Sequence, residues 1–335
     1  MRLLQFVGVC LLGFLVAGCE SGNEPAVDPT GRDARILPGG VAIEQFARDL
    51  DELVARTHSS VWTSESLPIQ SEDWGWELGM VSWVAADDDG LIYLLHRGDV
   101  GPSVVVIDES GHKVHAWGEG MYETAHSIRL DSDGHVWTTD SGNSKVLKFS
   151  RTGDLLLEID VGGMPQDCRS AFCGVTDVAF GPGGEVYVSD GYRNARVLEY
   201  TRDGELVREW GKHGVGEGEF NLLHSITYYD GRIFVADREN GRVQWFDTEG
   251  QFMGESPIGK VFSLAVSGGW IWASTQHLHQ PNLSPGWIMQ LDPVTGGVEG
   301  HFGATGGHGF HVVQGRGVIL APGPEFIPQR LVRMD

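Results

Sequence analysis

From about Gly79 onward the chain alternates short apolar runs with turns rich in Gly and Asp, and the unit formed by two such runs keeps returning. The clearest copies are HSIRLDSDGHVWTTD, TDVAFGPGGEVYVSD and HSITYYDGRIFVAD. They end at Asp140, Asp190 and Asp237, so the unit recurs after 50 and then 47 residues. Weaker copies begin near Val81, Phe262 and His311, which makes six. Apolar stretches this short, bounded by turn residues, are strands rather than helices. A period of about 40–50 residues with room for four strands marks a β-propeller, in which each sheet needs a neighbour on either face. The predicted fold is all-β, a six-bladed β-propeller over residues 79–335. The sixth unit runs out after three strands, so its outer strand is expected from within residues 60–66, joining the two ends of the chain. A β-sandwich does not account for so sustained a period. Ahead of the repeats, Ile43, Phe46, Leu50, Leu53 and Val54 are spaced as one face of a helix over residues 41–58.

The first residues follow another pattern. Arg2 precedes an apolar stretch from Leu3 to Ala17, too short to span a bilayer comfortably but built like a secretory signal. Leu15-Val16-Ala17-Gly18-Cys19 resembles a bacterial lipobox, which implies cleavage after residue 18 and a lipid on Cys19. Residues 1–18 are therefore assigned to a lipoprotein signal peptide and 19–40, rich in Gly, Pro and Asp, to a flexible tether. Residues 41–78 hold the helix and the ring-closing strand. The expected location is the bacterial cell envelope, outside the cytoplasm, with the membrane met only through the lipid. Glu20 and Ser21 stand where inner-membrane lipoproteins carry aspartate, which points to the outer membrane. Cys10 lies in the signal, and Cys168 and Cys173, five residues apart in an oxidising compartment, are read as a loop-closing disulfide.

Charge narrows the partners. With 46 acidic against 24 basic residues, the formal net charge is −22, which argues against nucleic acid or an anionic bilayer surface. A monomer is expected.

The chemistry emerges when the units are laid over one another. His126 lies 14 residues before Asp140 and His224 lies 13 before Asp237, both at the start of the innermost strand of their unit. His311 heads the sixth unit and is taken as the third of the set, with His308 as the alternative. Units two, four and six thus carry histidine, so in a ring of six the imidazoles converge at about 120° to one another. Three imidazoles with a fourth position open match a catalytic zinc better than a closed structural one. The ends of second strands share that rim, since neighbouring strands are antiparallel. They bring Arg97 and Arg238, in equivalent places of units one and four, and Tyr192. Arginine suits bidentate capture of a carboxylate, and a phenol beside a dication can ionise far below its ordinary pKa of about 10. Asp140, Asp190 and Asp237 are read as closing turns between strands.

The stretches VSDGYRNARV, VADRENGRVQ, LLHSI and HRGD resemble those of peptidylglycine α-amidating lyase, and the repeats more broadly resemble NHL repeats. The resemblance runs from about Gly79 to Asp335. It implies a zinc lyase that splits the N–Cα bond of a peptidyl- or N-acyl-α-hydroxyglycine into an amide and glyoxylate. The substrate would be a peptide or small molecule with a C-terminal α-hydroxyglycine. By motif, the zinc ligands would be His126, His224 and His311, Tyr192 the proton acceptor, and Arg97 and Arg238 the substrate-contacting arginines. The family also holds a structural calcium. Its aspartate ligand, directly after the third histidine, is Val312 here, which leaves backbone carbonyls near Val81 and Ile128. A family methionine two residues before that histidine is Gly309. The family's partner for the cysteine matching Cys173 is Arg193, so Cys168 would substitute. Two rival readings remain: a non-catalytic propeller lipoprotein that binds a ligand or protein partner, and a lactonase-like hydrolase. Predominantly imidazole ligation opposes the second.

Overall fold

The computed structural model describes residues 43–334 except 73, 99–100, 164–171, 277–285, 305–306, 315–317 and 323–326. Cys19, Cys168 and the signal and tether assignments lie outside the described residues. Apart from one helix, Ile43–Arg56, the described elements are strands. Five sheets have four strands, and a sixth has the same four plus a fifth, His58–Ser59, added in parallel on its edge. The innermost strands are Met80–Ala86, Ala125–Leu130, Asp177–Phe180, Leu223–Tyr229, Lys260–Ser267 and His311–Val313. Each touches the next, and the last touches the first, so the ring is closed. The final sheet takes its outer strand from Trp62–Ser66, which pairs antiparallel with Pro328–Arg333.

Burial falls from the axis outward. The inner strand of blade one is buried at six of seven positions, whereas outer strands such as Leu155–Asp160 are mostly exposed. The apolar core is divided accordingly into six clusters, one at each seam between neighbouring blades. Trp83, Tyr93 and Val104 of blade one, for instance, meet Ala125, Ile128 and Phe149 of blade two. Each large apolar side chain buried this way contributes roughly 1.5–3 kcal/mol. The helix lays Leu50, with Leu53 and Val54, over the seam between blades four and five. Basic Arg56 falls in its last turn, where a positive charge suits the helix dipole.

The recurring aspartates have the structural role expected of them. Asp140 accepts the backbone N–H groups of Glu123, Thr124 and Gly142. Asp237 accepts Asn221 N–H, Asn240 Nδ2, Arg242 Nε and Gln244 Nε2. Asp190 accepts Asn194 and Arg196. The turn after each aspartate needs a left-handed residue, supplied by Ser144, Ala195 and Gly241.

Candidate metal centre

Four of the inner strands share a local irregularity that aims side chains at the axis. Pairing with the second strand slips between Val81 and Trp83, Ala125 and Ile128, Leu223 and Ser225, and Val261 and Ser263. Such bulges turn a side chain out of the regular ladder. Ser82, His126, His224 and Phe262 sit in these slips, and Thr176 takes the same place in blade three. Two residues beyond each stands an apolar residue sealed in the core: Val84, Ile128, Val178, Ile226 and Leu264. In blade six that sealed residue is Phe310, which makes His308 the residue that faces the axis.

The third histidine of the set is therefore His308, not His311. His126, His224 and His308 each offer a ring nitrogen within 4.8 Å of the other two. Their ring centroids form a nearly equilateral triangle with sides of 4.9, 4.7 and 4.7 Å. His311 lies three residues further on, inside the ladder opposite Leu320, and lines a separate cavity of about 220 Å³ at the other end of the channel. The expected register was off because blade six lacks the aspartate that marks it in blades two to four.

Each of the three rings is oriented by the following blade. His126 Nδ1 donates to Thr176 O at 2.6 Å, His224 Nδ1 to Phe262 O at 2.6 Å, and His308 Nδ1 to Ser82 O at 3.0 Å. A carbonyl only accepts, so Nδ1 carries the proton and Nε2 keeps its lone pair in all three. Burial, with the charges of neighbouring histidines and arginines, holds His126 and His224 well below the usual imidazole value. Burial and Arg97 push His308 down to about 3. Three neutral imidazoles with fixed tautomers and convergent lone pairs are a ready metal site.

The other expected residues gather round the triad. Tyr192 Oη donates to His126 Nε2 at 2.9 Å and lies 3.5 Å from His224 Nε2. Burial raises its pKa, while Arg238 and Arg97 pull it down. Gly191, just before it, passes so close to the Leu223 carbonyl that no Cβ fits. Gly309 likewise makes room for the Trp83 indole beside His308. Arg97 Nε donates to Ala125 O at 2.7 Å, and its Nη2 is buried without a hydrogen-bond partner among the described residues. The guanidiniums of Arg97 and Arg238 lie over the rings of Phe172 and Phe262 at 5.1 and 5.0 Å. Phe172 adjoins Cys173, which is buried and disulfide-bonded.

Below the triad lies a residue that the sequence reading passed over. Arg129 pairs with Asp177 through Nε and Nη2 at 3.0 and 2.6 Å. It also donates to Ser225 Oγ and Leu264 O and sits 4.8 Å over the Trp83 ring. One side chain of blade two thus reaches blades one, three, four and five. Its signal was a lone charge in the apolar inner strand HSIRL. These residues do not fit calcium. Val312 is packed among Ala265, Phe302 and Phe310, and Asp177 is taken up by Arg129 and Ser225.

Comparison with known proteins agrees with this architecture. Residues 124–149 and 220–246 match the NHL repeat. Rat peptidylglycine alpha-amidating monooxygenase is 31% identical over 233 residues, covering 58% of this chain and 24% of the rat protein. Peptidyl-alpha-hydroxyglycine alpha-amidating lyase 1 of Drosophila melanogaster is 34% identical over 192 residues, covering 51% of this chain and 35% of that protein. Mouse NHL repeat-containing protein 3 is 31% identical over 230 residues, covering 62% and 66%. In fold, the structure of a streptogramin B lyase superposes with a TM-score of 0.54 over 82% of this chain and 98% of its own, at 14% identity. The chain is an NHL-repeat β-propeller whose relatives in sequence include proteins named for peptide α-amidation.

Proposed function

We propose that the protein is a zinc-dependent lyase that cleaves the N–Cα bond of an N-acyl- or peptidyl-α-hydroxyglycine, releasing an amide and glyoxylate. The observation that carries this reading is the largely buried triad of neutral imidazoles with Tyr192 Oη 2.9 Å from one of them and an Arg97 nitrogen nearby that has no hydrogen-bond partner among the described residues. His126, His224 and His308 would hold the ion, which when bound supplies a Lewis acid for the hydroxyl oxygen of the substrate. Arg97 takes the carboxylate, the one common feature of substrate and glyoxylate. Tyr192, the phenol nearest the triad, would accept the hydroxyl proton once ionised. The O–H electrons become the aldehyde C=O, the C–N pair leaves with nitrogen, and the same proton completes the amide. Trp83, fully buried, and Phe262, partly buried, keep bulk water from the reacting atoms. Residues 1–18 and Cys19 would place this chemistry outside the cytoplasm, lipid-anchored in the cell envelope, with Cys168 paired to Cys173.

The test is to measure metal in the purified protein and glyoxylate release from α-hydroxyhippuric acid. One zinc per chain with turnover is expected, and Tyr192→Phe should keep the zinc while losing about 10²–10⁴-fold in rate. Zinc without turnover supports the second reading, a ligand-binding propeller. Protein without zinc overturns the lyase.

A further inference from the structure

The two arginines beside the triad occupy matching places in blades one and four but are not chemically equal. Arg97 meets no carboxylate among the described residues: its Nε is on the Ala125 carbonyl, and Nη2 has no partner. Arg238 gives its Nε to Glu239 Oε1 at 2.9 Å. The other oxygen of Glu239 accepts Lys260 Nζ at 2.7 Å. Lys260 opens the inner strand of blade five, so this chain of charges crosses the seam between blades four and five. Glu239 is held well into its ionised form, the charges of Arg238 and Lys260 outweighing its burial. The backbone is fixed at the same spot. Arg238 N–H donates to Leu222 O and Glu239 N–H to Asn221 O, and Leu222 is held in the left-handed region, φ 64°. Conformational cost of this kind survives only where the surroundings enforce it.

Electrostatics gives this arrangement a purpose. A buried site that receives a dication and also holds two bare guanidiniums works against itself, because like charges repel strongly where water is excluded. Cancelling one guanidinium with a carboxylate lowers that repulsion and leaves the other to attract an anion. We infer that Glu239, held by Lys260, is a positioning residue that pins Arg238 against Phe262 and engages its Nε, so that Arg97 alone anchors the ligand's carboxylate and the site prefers a monocarboxylate to a dicarboxylate. This rests on the carboxylate reading above and names the arginine and the ligand charge it selects.

Hippurate, which lacks the reactive hydroxyl, is the probe, titrated by calorimetry into zinc-reconstituted protein. Arg97→Ala should weaken it about a hundredfold and Glu239→Ala about tenfold, the scale of charged hydrogen bonds. In an Arg238→Ala background Glu239→Ala should add nothing, since it acts through that side chain. Glu239→Gln keeps an acceptor for Nε, so hippurate affinity should return to within about threefold while the preference for hippurate over N-succinylglycine narrows. Multiplicative losses in the double variant, or a larger loss from Arg238→Ala than from Arg97→Ala, overturn the assignment. Because hippurate binds without reacting, coupled losses with no glyoxylate release from α-hydroxyhippurate overturn only the lyase reading. Wild-type protein that ignores hippurate overturns both.

Discussion

The two ends of the axial channel hold similar residues under opposite rules. At one end, three histidines each have Nδ1 satisfied by a neighbouring blade, and their ring nitrogens converge within 4.8 Å of one another beside Tyr192 Oη. At the other, Arg129 spends its Nε and Nη2 on Asp177, Ser225 and Leu264, and His311 stands beside it with no side-chain hydrogen bond among the described residues. His308 and His311 are three residues apart and both are pushed to low pKa by burial, to about 3 and about 4. What separates an axis-facing imidazole from a bystander is therefore register on the strand, not residue type or burial.

The sharpest way to break this comparison is to remove each histidine in turn. His308→Ala should bring bound zinc to background and glyoxylate release with it, whereas His311→Ala should keep one metal per chain, read by mass spectrometry of the purified proteins. Loss of even outer partners of a metal ligand costs about 10–100-fold in affinity, so loss of a ligand should exceed that. Equal zinc in both variants would return the third position to the ladder.

Arg129→Met probes the other end. It strands Asp177, fully buried, with Ser225 Oγ and two backbone N–H groups as its remaining partners. A charge uncovered in this way costs about 3–5 kcal/mol. Urea unfolding should show that loss with the metal content unchanged. If instead zinc disappears while stability holds, the two ends are not separate.

The smallest effect concerns acid. His311 has a folded pKa of about 4, below the ordinary 6.5, so only the unfolded chain takes up its proton as pH falls below about 6.5. Stability of the metal-free protein should be greatest above that pH and decline toward pH 4. His311→Asn should flatten the decline by about 1 kcal/mol or more, one pKa unit being worth about 1.4 kcal/mol. An unchanged slope would place the acid sensitivity in the triad alone.

The ring itself was legible because its signals repeat: the same run, turn and run returns often enough to outweigh any single ambiguous strand. His126 and His224 were legible for the same reason, each tied to an aspartate at a nearly constant distance. Blade six has no such aspartate and a three-residue inner strand, so the landmark failed where the strand was weakest. The better ruler was the sealed apolar residue two places on, Ile128 and Ile226 in the clear copies and Phe310 in the sixth. Arg97, Arg238 and Tyr192 followed from antiparallel pairing. Arg129 and the Glu239–Lys260 pair did not, because their meaning lies in partners from other blades, which no local pattern records.

The reliance of each axis-facing imidazole on the carbonyl next door means the six sheets work as three couples, donor and acceptor in turn. Repeat proteins readily gain or lose a copy by duplication or deletion. In this ring a single such event would break the alternation of donor and acceptor sheets, so three couples, six units in all, sustain the geometry. A constraint on side-chain tautomers thereby becomes a constraint on how this gene can change in length.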